Sequence, residues 1–84
     1  MSRFYAAGEK IAVETDEAQH PMSYIWQLQH YDVENIADHW RIDEDWWQQR
    51  LWRDYFKLTT TSGYLVLIYH DLVADNWYLQ RVYD

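Results

Sequence analysis

The chain has 84 residues, a net charge of −7 and sixteen aromatic residues, namely six Trp, eight Tyr and two Phe. This length indicates one domain, and the absence of cysteine excludes disulfides and thiolate chemistry. No segment has the ~20 consecutive apolar residues of a transmembrane helix, and the short, polar N-terminus does not fit a secretory signal, so the sequence predicts a cytoplasmic bacterial protein.

The predicted elements in the first half of the chain are strands. Residues 1–8 are expected to be a flexible tail that precedes a single domain over residues 9–84. Alternating apolar and polar residues predict strands over residues 10–15 and 22–28, with a turn at the only proline between them. Residues 31–40 fit both strand and helix periods, and we favour a strand with an irregular exit.

The second half predicts one helix and three further strands. A short helix is expected near residues 43–52, because Asp43 suits an N-cap and acids favour the first turn. Strands are expected over residues 55–60, 64–69 and 77–83, with a glycine-containing hairpin turn between the first two. The predicted fold is therefore mainly β (α+β): about six antiparallel strands that curl into a small sheet or open barrel beside one helix.

The sequence contains no recognisable catalytic or metal-binding motif. The four histidines show no ligand spacing and have no cysteine beside them. Ser62, His70 and Asp71 lack a nucleophile elbow, and the acids at 43–45 lack the spacing and glycine of a calcium loop. We therefore predict a protein that is not an enzyme and that has no metal or cofactor.

The adjacent pair Trp46 and Trp47 is the strongest candidate contact point. Neighbouring residues of a helix cannot both face one core, so Trp47 is expected to be buried and Trp46 to lie exposed beside Arg50. An exposed tryptophan next to an arginine suits a protein-contact anchor. The alternative is that Trp46 covers the open end of the barrel. The expected partner is a protein of unknown identity, and the chain itself is expected to be a monomer or weak homodimer.

Aromatic residues on the sheet offer a second kind of site. Tyr24, Trp26, Tyr64 and Tyr78 could stack the bases of a single-stranded nucleic acid, and the first two are also candidate binding residues for a protein. Residues 1–45 carry ten acids and three basic residues, which disfavours a phosphate-binding groove. Nucleic-acid binding is therefore the alternative function.

Four charged residues in the second half of the chain lie among apolar strand residues: Arg53, Asp71, Arg81 and Asp84. Buried charges are usually paired, so we predict that Arg53 or Arg81 pairs with Asp71, Asp84 or the terminal carboxylate. Such a pair would fix the register of the last strand, and replacing Asp71 by alanine would lower stability.

Four segments carry a resemblance to a known family: WRIDEDWW at 40–47, RDYF at 53–56, YHDL at 69–72 and WYLQRVYD at 77–84. Over residues 10–84 the chain resembles a small uncharacterised bacterial domain family. A similar pattern closes the polymerase-like subunit of the bacterial mutasome, which resembles Y-family polymerases without their catalytic residues. The resemblance implies a link to DNA-damage tolerance and no enzyme activity. Where the family has Arg-Gly-Arg in a hairpin, this chain has Gln27-Leu28-Gln29, so the family's best phosphate contact is lost.

Overall fold

The computed structural model describes residues 3–46 and 49–83, which form six strands in one closed antiparallel barrel. Each strand pairs with the next, and the last pairs back with the first. The predicted open barrel is therefore wrong, because this closing ladder removes the free edges that an open sheet would leave. The strands are β1 (Arg3–Thr15), β2 (Pro21–Trp26), β3 (Gln29–Trp46), β4 (Gln49–Thr60), β5 (Leu65–Asp71) and β6 (Asn76–Tyr83).

The helix predicted near residues 43–52 is also wrong, since the described residues there belong to the hairpin of β3 and β4. Asp43 pairs with Trp52, and Asp45 pairs with Arg50. Alternation places these four side chains on one face of the two-stranded ribbon. The Arg50 guanidinium lies 3.3 Å from the Asp43 carboxylate and 4.5 Å from the Trp52 ring centre. The acidic residues that suggested a helix cap therefore lie opposite cross-strand partners on the ribbon, and these partners stabilise their charges.

The N-terminal segment enters the barrel as part of β1. Residues 1–8 were expected to be a tail, whereas β1 begins at Arg3 and pairs there with Val82 of β6. The pairing register shifts between Phe4 and Glu9. This bulge contains Gly8, whose φ of 78° is readily reached only without a side chain.

The core forms where the inward faces of the strands meet. Phe56 and Leu58 of β4 pack with Ile68 of β5 and Leu79 of β6, and each of these side chains is at most 1% exposed. The strands predicted over residues 55–60 and 64–69 correspond to β4 and β5 of the structure. Among the described residues, β4 to β6 contribute most of the fully buried side chains, so these three strands form the most deeply buried wall of the barrel.

A row of stacked rings crosses the outer face of that wall. Trp40 of β3 pairs with Tyr55, Tyr55 pairs with Tyr69, and Tyr69 pairs with Tyr78. Neighbouring ring centres lie 5.1 to 5.5 Å apart. The Tyr69 side chain is buried although it faces outward, because Gly8 of β1 approaches its ring closely. Aromatic residues therefore stabilise both faces of the sheet.

Candidate functional site

An aromatic cavity of about 250 Å³ opens at one end of the barrel. Its rings come from β2, the start of β3 and the turn before β5, because the β2–β3 ladder places Tyr24 opposite Tyr31. The rings of Tyr24 and Tyr31 stack with centres 5.1 Å apart, and Tyr64 meets Tyr31 edge-on at 6.0 Å. We call this site the aromatic cavity; it is lined by Tyr24, Trp26, Gln27, Tyr31, Tyr64, Val66 and Val82.

Hydrogen bonding and packing fix the ring orientations in the aromatic cavity. The indole nitrogen of Trp26 donates to the carboxylate of Glu9 at 2.5 Å, and Tyr5 meets the Trp26 ring edge-on. Tyr24 is 1% exposed. Burial, together with the nearby Tyr31 and Tyr64, raises the pKa of the Tyr24 hydroxyl well above its usual value. The Tyr24 hydroxyl therefore lines the cavity in its neutral form.

The hairpin beside the aromatic cavity has an unusual turn. Its central residues, Gln27 and Leu28, have φ values of 51° and 65°. Left-handed conformations at both positions match a type I′ turn, which ordinarily selects asparagine and glycine. Leu28 is also fully exposed, and Tyr64 across the mouth is 46% exposed. The chain thus holds a large apolar side chain in solvent on a strained backbone.

A second cavity, of about 200 Å³, lies at the opposite end of the barrel and is rich in histidine. His39 stacks on Phe56 with ring centres 4.1 Å apart, and His20 approaches His39 edge-on at 6.0 Å. His70 stacks on Trp77 at 4.3 Å. Three histidines that are distant in sequence thus meet around the aromatic side chains of the core. We call this site the histidine cavity.

Asp54 is the carboxylate of the histidine cavity and is only 7% exposed. Arg41 binds it through two hydrogen bonds, from Nε at 2.6 Å and from Nη2 at 3.0 Å. The hydrogen bonds from Arg41 hold the pKa of the Asp54 carboxyl below its usual value, against the opposite effect of burial. His39 lies 3.8 Å from the same carboxylate. Asp54 is thus held as a charged group by one arginine.

The histidine cavity has no metal-binding arrangement among the described residues: no group of three or more His, Asp or Glu side chains there could hold an ion. The contacts explain this. His70 Nε2 lies 2.8 Å from Asp75, His20 faces Asp16 at 3.7 Å, and Arg41 occupies Asp54. His20 and His70 therefore face carboxylates other than Asp54, and Asp54 itself is bound by Arg41.

The predicted contact point falls partly outside the described residues. Trp47 lies outside them, and for Trp46 only the backbone is described, at the end of β3 opposite Gln49. Arg50, which was expected beside Trp46, contacts Asp43 and the ring of Trp52. An anchor made by Trp46 and Arg50 therefore stays a prediction, now placed on a ribbon and not on a helix.

The predicted ion pair is also only partly described, because Asp84 lies outside the described residues. Arg53 pairs in register with Asp71. Burial opposes the charge of Arg53, but a 3.1 Å hydrogen bond to the Tyr55 hydroxyl and attraction to Asp71 outweigh it and raise the Arg53 pKa. The Asp71 carboxylate accepts a hydrogen bond from the Val73 amide. Arg81 lies over the ring of Tyr83. A register-fixing pair with Asp71 or Asp84 stays a prediction.

The four rings considered for base stacking do not share one surface. Tyr24, Trp26 and Tyr64 line the aromatic cavity, whereas Tyr78 stacks on Tyr69 in the outer row. Sequence reasoning missed Tyr31, which contacts all three cavity rings. Recognising a two-residue turn at residues 27–28 would have predicted that Tyr31 pairs with Tyr24. Neither glutamine nor leucine is a usual signal for such a turn.

The architecture defines a class: a closed six-stranded antiparallel barrel with an aromatic cavity at one end and a histidine cavity at the other. The chain belongs to the family described as domain of unknown function DUF6504, whose pattern matches residues 2–84. No curated protein and no solved structure matches the chain. The described residues include no helix of the length and apolarity needed to cross a membrane.

Proposed function

We propose that this domain is a non-catalytic binding module and that a protein partner docks at the aromatic cavity. The observation that carries the proposal is the juxtaposition of that cavity with the exposed Leu28 on its strained turn. Tyrosine and tryptophan rings with an apolar rim are the chemistry of interface anchors. A cavity of about 250 Å³ is below the usual ~300–1,000 Å³ of a drug-sized ligand site, so it suits one inserted side chain.

The biological setting of this module is a further part of the proposal. The resemblance of residues 10–84 to a domain family whose pattern also closes the mutasome's polymerase-like subunit supports a cytoplasmic partner in DNA-damage tolerance. Deleting the gene in its host is then expected to lower damage-induced mutation while leaving growth unchanged. An unaltered mutation frequency after irradiation would argue against this setting but not against the cavity as a binding site.

The docking proposal can be tested with a displayed library of random peptides. We expect the native domain to enrich a common motif that is lost with Tyr64→Ala and with Leu28→Asp. Val73→Asp is the matched control, because Val73 is 59% exposed on the β5–β6 turn at the opposite end of the barrel. Enrichment of no motif, or of a motif that tolerates both substitutions, would refute docking at this cavity.

The alternative function, single-strand nucleic-acid binding, gives a different result. Titration with oligonucleotides would then quench tryptophan fluorescence, and the quenching would disappear at high salt because phosphate contacts release counterions. A salt-sensitive oligonucleotide complex would replace the protein-binding proposal.

The oligomeric state is a separate expectation. Sedimentation of the domain alone checks whether it is a monomer or a weak homodimer, as expected.

A further inference from the structure

We infer that the aromatic cavity recognises an alkylammonium cation, in the form of a lysine or methyl-lysine side chain of the partner. This inference rests on the proposed function and names the chemistry of the group that enters. It follows from the rings, the charges and the size of the cavity.

The rings provide surfaces that attract a cation. Aromatic faces carry partial negative charge, and alkylammonium groups bind within about 6 Å of ring centres, most strongly to tryptophan. Here Tyr31 is nearly perpendicular to Tyr64, at 78°, and tilted 42° from Trp26. Rings inclined to each other in this way can present faces to one guest from different sides.

The charges around the aromatic cavity also favour a cation. No described lining residue is charged, so no arginine or lysine there competes for the ring faces. The Glu9 carboxylate accepts the hydrogen bond of the Trp26 indole and so places a negative charge beside one lining ring of the cavity. The chain as a whole carries −7, which raises the local concentration of cationic partners.

The size of the cavity fits a compact head group. Its volume is about 250 Å³, whereas an engineered cavity of ~150 Å³ already accepts benzene. A methylated ammonium group is similarly compact, and it is more easily desolvated than a primary ammonium because it has fewer N–H donors to leave unpaired. We therefore expect affinity to rise with methylation.

The test uses small probes and the NMR signal of the Trp26 indole N–H, assigned through Trp26→Phe. The probes are choline, its neutral carbon analogue 3,3-dimethyl-1-butanol, and N-acetyl-lysine methylamide with and without three Nζ methyl groups. We expect saturable shifts with the trimethylated lysine, at least roughly tenfold weaker binding of the neutral analogue, and loss of the shifts in Tyr31→Ala or Tyr64→Ala. Val73→Ala, at the other end of the barrel, is expected to bind normally.

The outcomes separate this inference from the docking proposal. Equal binding of choline and its neutral analogue, or no binding of any cation, would overturn the inference. A peptide motif that lacks lysine but still needs Tyr64 would also overturn it and would leave the docking proposal intact. Choline binding that exceeds trimethyl-lysine binding would contradict a side chain as the source. If the alanine variants unfold, the milder Tyr64→Leu, which keeps bulk without a ring, is expected to lose the preference for the charged probe.

Discussion

Single residues in this barrel hold conformations and charges that their neighbours impose. Leu28 adopts a φ of 65° in a turn that has no hydrogen-bonding side chain at that position, and Asp54 stays charged while 7% exposed because Arg41 binds both of its oxygens. Neither state follows from the residue type alone. Both lead to stability predictions at this scale.

Leu28→Gly is expected to stabilise the domain by about 0.5–1 kcal/mol. Glycine removes the left-handed strain, which costs a residue with a Cβ about 1–2 kcal/mol, and part of the gain is offset by greater freedom of the unfolded chain. Urea unfolding measures the change. Thr61→Gly is the control, since Thr61 is an exposed turn residue without a positive φ and should lose stability. A destabilised Leu28→Gly protein would show that the turn is not strained.

Asp54→Asn is expected to change how stability depends on pH. Because the folded pKa of Asp54 lies below its usual value, its contribution is complete above the unfolded pKa of about 3.9 and is lost as pH falls towards the folded value. The native protein should therefore lose stability in that acid range more steeply than the variant does.

Thermal melts between pH 6 and the acid limit of folding check this prediction. Glu17→Gln removes one acid from an exposed turn and serves as the control for a change in net charge alone. Parallel profiles for the native protein and Asp54→Asn would contradict a stabilising role of the Arg41 pair.

At the scale of elements, close contact between strands decides which substitutions are tolerated. The bulge in β1 brings Gly8 against the outer row of rings: a Cβ there would lie 2.8 Å from the Tyr78 Cβ and 3.1 Å from the Tyr69 hydroxyl. Gly63 has a similarly positive φ of 94° but open space around it. Substitutions at the two glycines therefore separate the energetic cost of backbone strain from the cost of a packing clash.

Gly8→Ala is expected to destabilise the domain by about 2 kcal/mol or more, and Gly63→Ala by about 1 kcal/mol. Both substitutions incur left-handed strain, and only the first adds a clash that must shift strand β1 or a tyrosine. Denaturant unfolding of the pair gives the difference. Equal losses would mean that β1 does not pack on the rings as described.

At the scale of the whole molecule, the chain completes a cylinder by pairing its first strand with its last. This closure connects residues that are far apart in sequence, such as Ile11 and Trp77. It also sets the two cavities at opposite ends, because the turns alternate between the ends of an up-and-down barrel. Stability is therefore expected to depend on the first residues of β1.

Removing residues 3–7 is expected to lower the melting temperature by several degrees. The deletion removes the pairing of Arg3 and Phe4 with β6, and in a domain of this size each kcal/mol corresponds to about 4–8 °C. Circular dichroism on heating checks the result. An unchanged melting temperature would restore the expectation that residues 1–8 are a flexible tail.

The local pattern of residues determined most of the strands. Alternation in residues 10–15 and 22–28 predicts β structure because side chains on a strand point to opposite faces in turn. The continuous apolar run at 64–69 predicts a strand that is covered on both faces. The local sequence misled at residues 43–52, where an acidic start resembles a helix cap and only the ladder with β4 shows that Asp43 pairs with Trp52.

Tertiary structure alone decided closure and the sites. Pairing of β1 with β6 requires the whole sheet to coil, and no window of sequence contains that information. Tyr31 joins the aromatic cavity through the register with Tyr24. His20 of the β1–β2 turn meets His39 of β3 and His70 of β5 only because the sheet curls around one core. The sequence by itself determined that aromatic strands would form a small β domain, since that depends on neighbours along the chain. Which side chains line a common cavity depends on register and curvature, which are set between strands.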